Sequence, residues 1–334
     1  MDKLIFDFYG VKSMISLPPW LKDIIARDFS YFSSDTWDKP SDFELIVSEE
    51  EPPFARVPPV KASLYQPDSL SYDRGDTRYV DYTGKALSIY DLRTERGELF
   101  SRDRNLLHEL TYLIVLSRVG ELLDRRGIHR VHAFAVSFDG KGLLCLLPQG
   151  SGKTTLILEL MKNPGVKLIS DDTPLITRDS ALLPFPLRLG IAEGAALDVP
   201  GEYLGGIERR KYGKKILIDI RYFSGRISRP AGIDIILKGE REFSDNPRIF
   251  NTGRLDVLGA LFRDCIVGLG LAQMVEYFLR SGAKEILSKS VIVLSRTRSC
   301  LMAVLKARTC KFVIGRDTVK NAEVLLEFLS KNQS

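Results

Sequence analysis

Two spacings of apolar residues alternate along this chain, and proline- or glycine-rich polar runs separate them. Lys3 to Ser16 alternates loosely between apolar and polar, the pattern of extended chain. Pro18 and Pro19 then open a short helix in which Trp20, Leu21, Ile24, Ile25 and Phe29 recur at helical spacing, since proline suits a first helical turn. Three strands are predicted next: Phe43 to Val47, Arg78 to Tyr82 and Ala86 to Leu92. Thr83-Gly84-Lys85 forms the tight turn that joins the last two, and Pro52 to Pro59 reads as a loop.

From Asp103 to Leu123 the residues Leu106, Leu107, Leu110, Leu113, Ile114, Val119, Leu122 and Leu123 keep a helical period, and the run ends in Arg125 and Arg126 before Gly127. We place a domain joint at its start. The expectation is a β-rich N-terminal domain of residues 1–102 and a larger domain of residues 103–334. After the joint, short β runs alternate with helices. Val131 to Phe138 and Gly142 to Leu147 read as strands, Lys153 to Lys162 as a helix and Val166 to Ser170 as a further buried strand. Strand, loop, helix and strand is the unit that builds an α/β sheet with its ligand at the strand ends. Gly253 to Arg280 reads as helical with Gly268-Leu269-Gly270 interrupting it. Lys311 to Ile314 reads as a last strand, followed by an amphipathic helix through Val324, Leu325, Leu326, Phe328 and Leu329.

Composition narrows this picture. The 334 residues, 44% of them hydrophobic, suffice for a packed core and exclude a disordered or fibrous chain. Lys and Arg number 48 against 43 Asp and Glu. The small excess is spread along the chain, so it points weakly to anionic ligands and gives no nucleic-acid footprint. Cys145, Cys265, Cys300 and Cys310 lie far apart, make no CxxC pair and are expected to be free thiols in a reducing compartment. The start, Met1-Asp2-Lys3-Leu4-Ile5-Phe6-Asp7, lacks the basic and apolar runs of a signal peptide, and no stretch reaches the ~18 apolar residues of a membrane span. A cytoplasmic protein is the expectation.

The segment with the most specific chemistry is Leu147-Pro148-Gln149-Gly150-Ser151-Gly152-Lys153-Thr154. A loop that offers several backbone N–H groups to a polyphosphate must approach it closely, so glycines are needed there, and Gly150 and Gly152 supply them. Lys153 then reaches the β and γ phosphates. The Thr154 hydroxyl is placed for Mg²⁺, and the following helix adds its positive N-terminal end. Gln149, Ser151 and Thr155 complete the run expected to hold ATP or GTP. Leu147 stands where the full G-x-x-x-x-G-K-[ST] pattern has its first glycine, so the match is to the second half. Directly after the next strand come Asp171 and Asp172. Carboxylates at a strand end beside such a loop can complete a Mg²⁺ shell or accept a proton from an attacking hydroxyl, and an Asp pair can equally serve a turn or an N-cap. His132 begins the strand before the loop strand, three residues after His129.

His132-Ala133-Phe134-Ala135-Val136-Ser137-Phe138-Asp139-Gly140, then Gly142 to Leu147, the glycine loop, and Lys167-Leu168-Ile169-Ser170-Asp171-Asp172 resemble the catalytic core of HPr kinase/phosphorylase and its HPr-kinase-like relatives. Histidine, loop and acidic pair occur in the family's order. The resemblance implies an α/β fold with a P-loop kinase core of the HPr kinase/PEP carboxykinase type, carrying here a smaller β-rich N-terminal domain. It implies a serine kinase that moves the γ-phosphoryl group of ATP to a seryl hydroxyl with Mg²⁺. Lys153 and Thr154 would hold nucleotide and metal, Asp171 would deprotonate the serine, Asp172 would be its metal-side partner, and His132 would contact phosphate. The parent enzymes form homo-oligomers, so self-association belongs to the same expectation.

Two departures shape the substrate expectation. Pro184-Phe185-Pro186-Leu187-Arg188-Leu189-Gly190-Ile191 keeps Arg188 and Gly190 of the family's downstream signature but has no acid before them. The first hundred residues also differ from the parent N-terminal domain. Both argue for an acceptor other than HPr: another serine-bearing protein, a peptide or a small metabolite. Arg209-Arg210-Lys211-Tyr212-Gly213-Lys214-Lys215 is the densest basic cluster, either a solvated loop or a phosphate clamp in which Arg210 and Lys211, with Arg188, close over the ligand. Two other readings stand beside the kinase: a nucleotide-gated binding module with little transfer, and a PEP-carboxykinase-like enzyme.

Overall fold

The computed structural model describes residues 1–35, 40–148, 150–192, 199–209, 213–267, 277 and 283–332. They form a mixed α/β protein with several sheets, which divides into two compact units. The first comprises Met1–Leu123, Leu204–Asp219 and Ala272–Ser288, and the second Asp124–Tyr203, Ile220–Leu271 and Lys289–Ser334. Gln149, Arg210 and Lys211, expected at the nucleotide, lie outside the described residues, as does the interruption at Gly268-Leu269-Gly270.

The first unit is built on an eight-stranded sheet. The hairpin β1 (Asp2–Phe8) and β2 (Val11–Leu17) turns at Tyr9 and Gly10, both with positive φ, as tight hairpins require. β2 alternates buried and half-buried positions along its whole length, and α1 (Pro19–Asp28) follows with Leu21 and Ile25 buried. β3 (Phe43–Ser48), β4 (Ala62–Gln66), β5 (Ser69–Arg74), β6 (Thr77–Asp81), β7 (Ala86–Asp91) and β8 (Arg96–Ser101) complete the order β1-β2-β3-β8-β7-β6-β5-β4. The expected strands are present within a residue or so of their anticipated ends. β4, β5 and β8 were not anticipated, because Ser, Asp, Arg and Gly dilute their apolar alternation. α2 (Arg104–Arg125) starts where the Asp103 carboxylate accepts from the Leu106 N–H at 3.0 Å, a side-chain cap for an otherwise orphaned donor.

The second unit positions the chemistry. β9 (Ile128–Arg130), β10 (Phe134–Phe138), β11 (Lys141–Leu146), α3 (Lys153–Leu160) and β12 (Val166–Ser170) are followed by β13 (Leu175–Thr177), β14 (Ala181–Leu183) and β15 (Leu189–Ala192). The chain next adds the antiparallel hairpin β16 (Leu204–Arg209) and β17 (Gly213–Ile218), which belongs to the first unit. β17 thus begins and ends earlier than the expected strand Ile216 to Ile220, and a 3₁₀ turn takes over from Ile220. β18 (Ala231–Arg241), β19 (Arg248–Asn251) and α4 (Arg254–Leu261) come next, then the π-helical Phe262–Val267, α5 (Ala283–Lys306), β20 (Arg308–Ile314) and α6 (Thr318–Lys331).

The strand–loop–helix–strand unit does not pair its own two strands. β11 and β12 flank α3 in sequence but are not neighbours, because β10 lies between them and is antiparallel to both. The parallel partner of β11 is β18, itself parallel to β20. Two consequences follow from direction alone. The C-terminal ends of β11, β12, β18 and β20 face one edge of the sheet, and the N-terminal end of β10 faces the same edge. Val131, Ala133, Ala135, Leu144, Leu146, Ile169, Ile236, Val257, Leu261, Cys300 and Val304 form the core on one face of this sheet, burying α4 and α5. No helix among the described residues is long and apolar enough to cross a membrane.

Candidate functional site

At that edge the chain leaves β11 through Leu147 and Pro148 and enters α3 by a glycine turn. Gly150 and Gly152 have φ of +75° and +89°, the left-handed region that costs a side chain steric energy. Gly152 caps α3, and its carbonyl accepts the Leu156 N–H at 3.0 Å. Lys153, Thr154 and Thr155 form the first helical turn. Lys153 is buried, Thr154 half-buried and Thr155 exposed. The Ser151 N–H donates to the Pro148 carbonyl at 3.3 Å. Among the described residues the buried Ser151 Oγ has no hydrogen-bond partner, and an orphaned buried hydroxyl of this kind costs about 1–3 kcal/mol.

His132 was expected to begin a strand. It lies instead in the connection between β9 and β10, where the backbone runs beside the Asp172–Pro174 segment: Val131 N–H donates to Pro174 O at 3.0 Å and Ala133 N–H to Asp172 O at 3.2 Å. The extended pattern of Val131 to Phe138 hid this break, since a buried connector is as apolar as a strand. The His132 N–H itself donates to Asp264 O at 2.9 Å. The geometry brings three of the expected residues together. Lys153 Nζ donates to His132 Nε2 at 2.8 Å and to the Leu147 carbonyl at 3.3 Å, and it lies 3.4 Å from Asp172 Oδ1. His132 Nδ1 lies 3.3 Å from the same carboxylate oxygen, though without hydrogen-bond alignment.

These contacts assign the imidazole tautomer. A ring nitrogen that accepts from an ammonium carries no proton, so Nδ1 holds the hydrogen and faces Asp172. Burial is the main cause holding His132 below its usual 6.5, with the Lys153 ammonium adding to it and the Asp172 and Asp264 carboxylates opposing. The unfolded chain binds this proton near pH 6.5 and the fold only at lower pH, so in between the unfolded state carries more protons and stability rises with pH. The contribution is complete above the unfolded value and is lost as pH drops through the folded one. We expect the urea midpoint to decline more steeply in wild type than in His132→Gln between about pH 7 and about pH 5; equal slopes would remove His132 from the linkage.

Asp171 is buried beside Asp172, whose side chain is 46% exposed. One acid therefore sits in the protein and the other at the solvent boundary, a difference that spacing alone does not reveal. Arg188 is buried ahead of β15, in a run tied to β12 where Phe185 N–H donates to Ile169 O at 2.9 Å. His129 is a structural residue: its ring bonds Asp124 Oδ1 at 2.8 Å and Ser295 Oγ at 2.9 Å. All four cysteines are free and buried. Among the described residues no group of three or more His, Cys, Asp or Glu forms a metal cage. Arg241, which no local pattern marks, donates through Nη1 to the Ser151 carbonyl at 3.0 Å. It lies 88 residues beyond Lys153 in the chain, and only the β11–β18 pairing brings it to the turn.

At the level of class, the fold is a mixed α/β arrangement of several sheets with a glycine turn, a lysine, a histidine and two aspartates on one sheet edge. Neither a protein-family model nor a curated protein sequence matches this chain. Among solved structures, the Hpr(Ser) kinase/phosphatase from Coxiella burnetii is similar at 13% identity, over 61% of this chain and 99% of that one, with a TM-score of 0.28.

Proposed function

We propose that this chain is a P-loop phosphotransferase with an HPr-kinase-like core, which transfers the γ-phosphoryl group of ATP to the serine hydroxyl of a protein, peptide or small metabolite other than HPr. The observation that carries the reading is the meeting of Lys153, His132 and Asp172 within 3.4 Å at a glycine turn that opens a helix. A buried ammonium beside an imidazole and a half-exposed carboxylate suits a ligand with several anionic oxygens and an accompanying cation. The orphaned Ser151 Oγ adds a polar group with hydrogen-bonding capacity still to fill.

Mg²⁺ takes oxygen donors and keeps several waters, so Thr154 Oγ1 and the half-exposed Asp172 carboxylate fit it, and the ion would neutralise charge on the phosphates. Lys153 orients the phosphate tail and balances its charge, exchanging its present contacts with Leu147 O and Asp172 for phosphate oxygens. His132, neutral and protonated at Nδ1, keeps Nε2 on the lysine and so fixes the ammonium's direction. Asp171 accepts the seryl proton as the serine oxygen forms its bond to γ-phosphorus and the bridging bond to the β-phosphate breaks, releasing ADP. Little covalent help is needed for such a transfer: alignment and charge neutralisation supply most of the rate. The chain, incubated with γ-labelled ATP, Mg²⁺ and lysate of its source organism, should label a serine-bearing acceptor that survives hydroxylamine. Label found solely as inorganic phosphate, with no acceptor, would overturn the transfer reading.

A further inference from the structure

Four cations near the C-terminal ends of β18 and β20 and on β19 already have carboxylate partners. Lys238 pairs with Asp256 and Glu240, Lys311 with Glu240, Arg248 with Glu242, and Arg316 with Asp245. Arg241, the last residue of β18, makes no ion pair among the described residues. Its guanidinium donates instead to the carbonyl of Ser151, inside the glycine turn. The register explains how it arrives there. Leu146, the last residue of β11, pairs with Lys238, so three further residues of β18 run level with the turn as it rises off β11. The approach is close: a Cβ built on Gly152 would lie 3.9 Å from Arg241 Nη1.

We propose that Arg241 is a second cation for the phosphate tail, facing Lys153 across the turn and specifying a polyphosphate over a nucleoside or monophosphate. The assignment rests on the nucleotide reading above. A guanidinium has five donors in a planar fork, so with one hydrogen on Ser151 O the others remain available to phosphate oxygens. The carbonyl contact aims the fork; the uncompensated charge supplies attraction. In this arrangement Lys153 approaches from the buried side and Arg241 from the solvent side, so the tail meets a cation on each.

The test separates charge from hydrogen bonding. Wild type, Arg241→Lys and Arg241→Gln are titrated calorimetrically with Mg·ATP, AMP and inorganic tripolyphosphate, with thermal melting as the folding control. Arg241→Gln, which retains a neutral donor for Ser151 O, should bind ATP and tripolyphosphate about 10-fold or more weakly and AMP nearly unchanged, since one charge-assisted contact is lost. Arg241→Lys should recover most of that loss. Equal ATP affinity in Arg241→Gln and wild type would overturn the proposal, leaving Arg241 as a staple for the turn. Wild type that binds neither ATP nor tripolyphosphate would overturn the nucleotide reading and this assignment together.

Discussion

Lys153→Ala is expected to lose both nucleotide affinity and turnover, whereas Asp171→Ala keeps affinity and loses turnover. The two side chains stand at one sheet edge but differ in what they offer. Lys153 is a buried ammonium held by His132 Nε2, Leu147 O and the nearby Asp172. On the proposed reading, removing it deletes the charge that would meet the β and γ phosphates; a lost charge-assisted hydrogen bond of about 1.5–3 kcal/mol is roughly a 10- to 100-fold loss in binding. Because the same change leaves His132 Nε2 without its donor, Lys153→Met, which keeps the aliphatic packing, should be measured beside it. Asp171 carries no positive charge to the phosphates. As the proposed proton acceptor it should matter in the transfer step alone, and a general base of this kind contributes roughly 10²- to 10⁴-fold. Calorimetric binding of Mg·ATP and initial rates of serine labelling check both. Normal turnover by Asp171→Ala would remove it as the base, and intact binding with no transfer in wild type would favour the nucleotide-gated module.

The second large effect is on folding. Asp124 and Arg296 form a buried bidentate pair, with Arg296 Nε at 3.0 Å and Nη2 at 2.5 Å from the two carboxylate oxygens. Arg296 Nη1 also donates to the carbonyls of Cys265 and Ile266, and His129 Nδ1 holds Asp124 from the other side. Burial alone would raise the Asp124 carboxyl, but the His129 hydrogen bond and the Arg296 charge outweigh it and hold the group below its ordinary value. Arg296→Leu leaves that carboxylate buried without its main counter-charge and should cost about 3–5 kcal/mol. Asp124→Leu combined with Arg296→Leu should recover part of the loss, because no buried charge is then stranded, although two carbonyls lose their donor. Urea midpoints compare the three. A single variant as stable as wild type would mean the pair is hydrated in solution.

Local pattern made much of the fold legible. The helix from Asp103 is present because Leu106, Leu107, Leu110 and Ile114 recur at helical spacing and are buried, and an acid precedes them as a cap. α6 was equally readable, with Leu325 and Leu329 buried and Asp317 accepting from Val319 N–H and Lys320 N–H at its start. α5 escaped notice: Ser, Arg and Thr interrupt Val291 to Lys306, and Arg296 is a core residue only because a carboxylate from far along the chain reaches it.

By itself the sequence determined the short-range facts: where glycine permits a left-handed turn, which lysine follows it, and that two adjacent acids end a buried strand. These depend on backbone sterics and residue spacing, which neighbours in the chain decide. Tertiary structure alone decided that β10 inserts between β11 and β12, that His132 meets Lys153 and Asp172, and that Arg241 comes to rest on the glycine turn. Strand pairing depends on which hydrogen-bonding edges meet across many intervening residues, and nothing in the local pattern around β10, β12 or β18 records the choice.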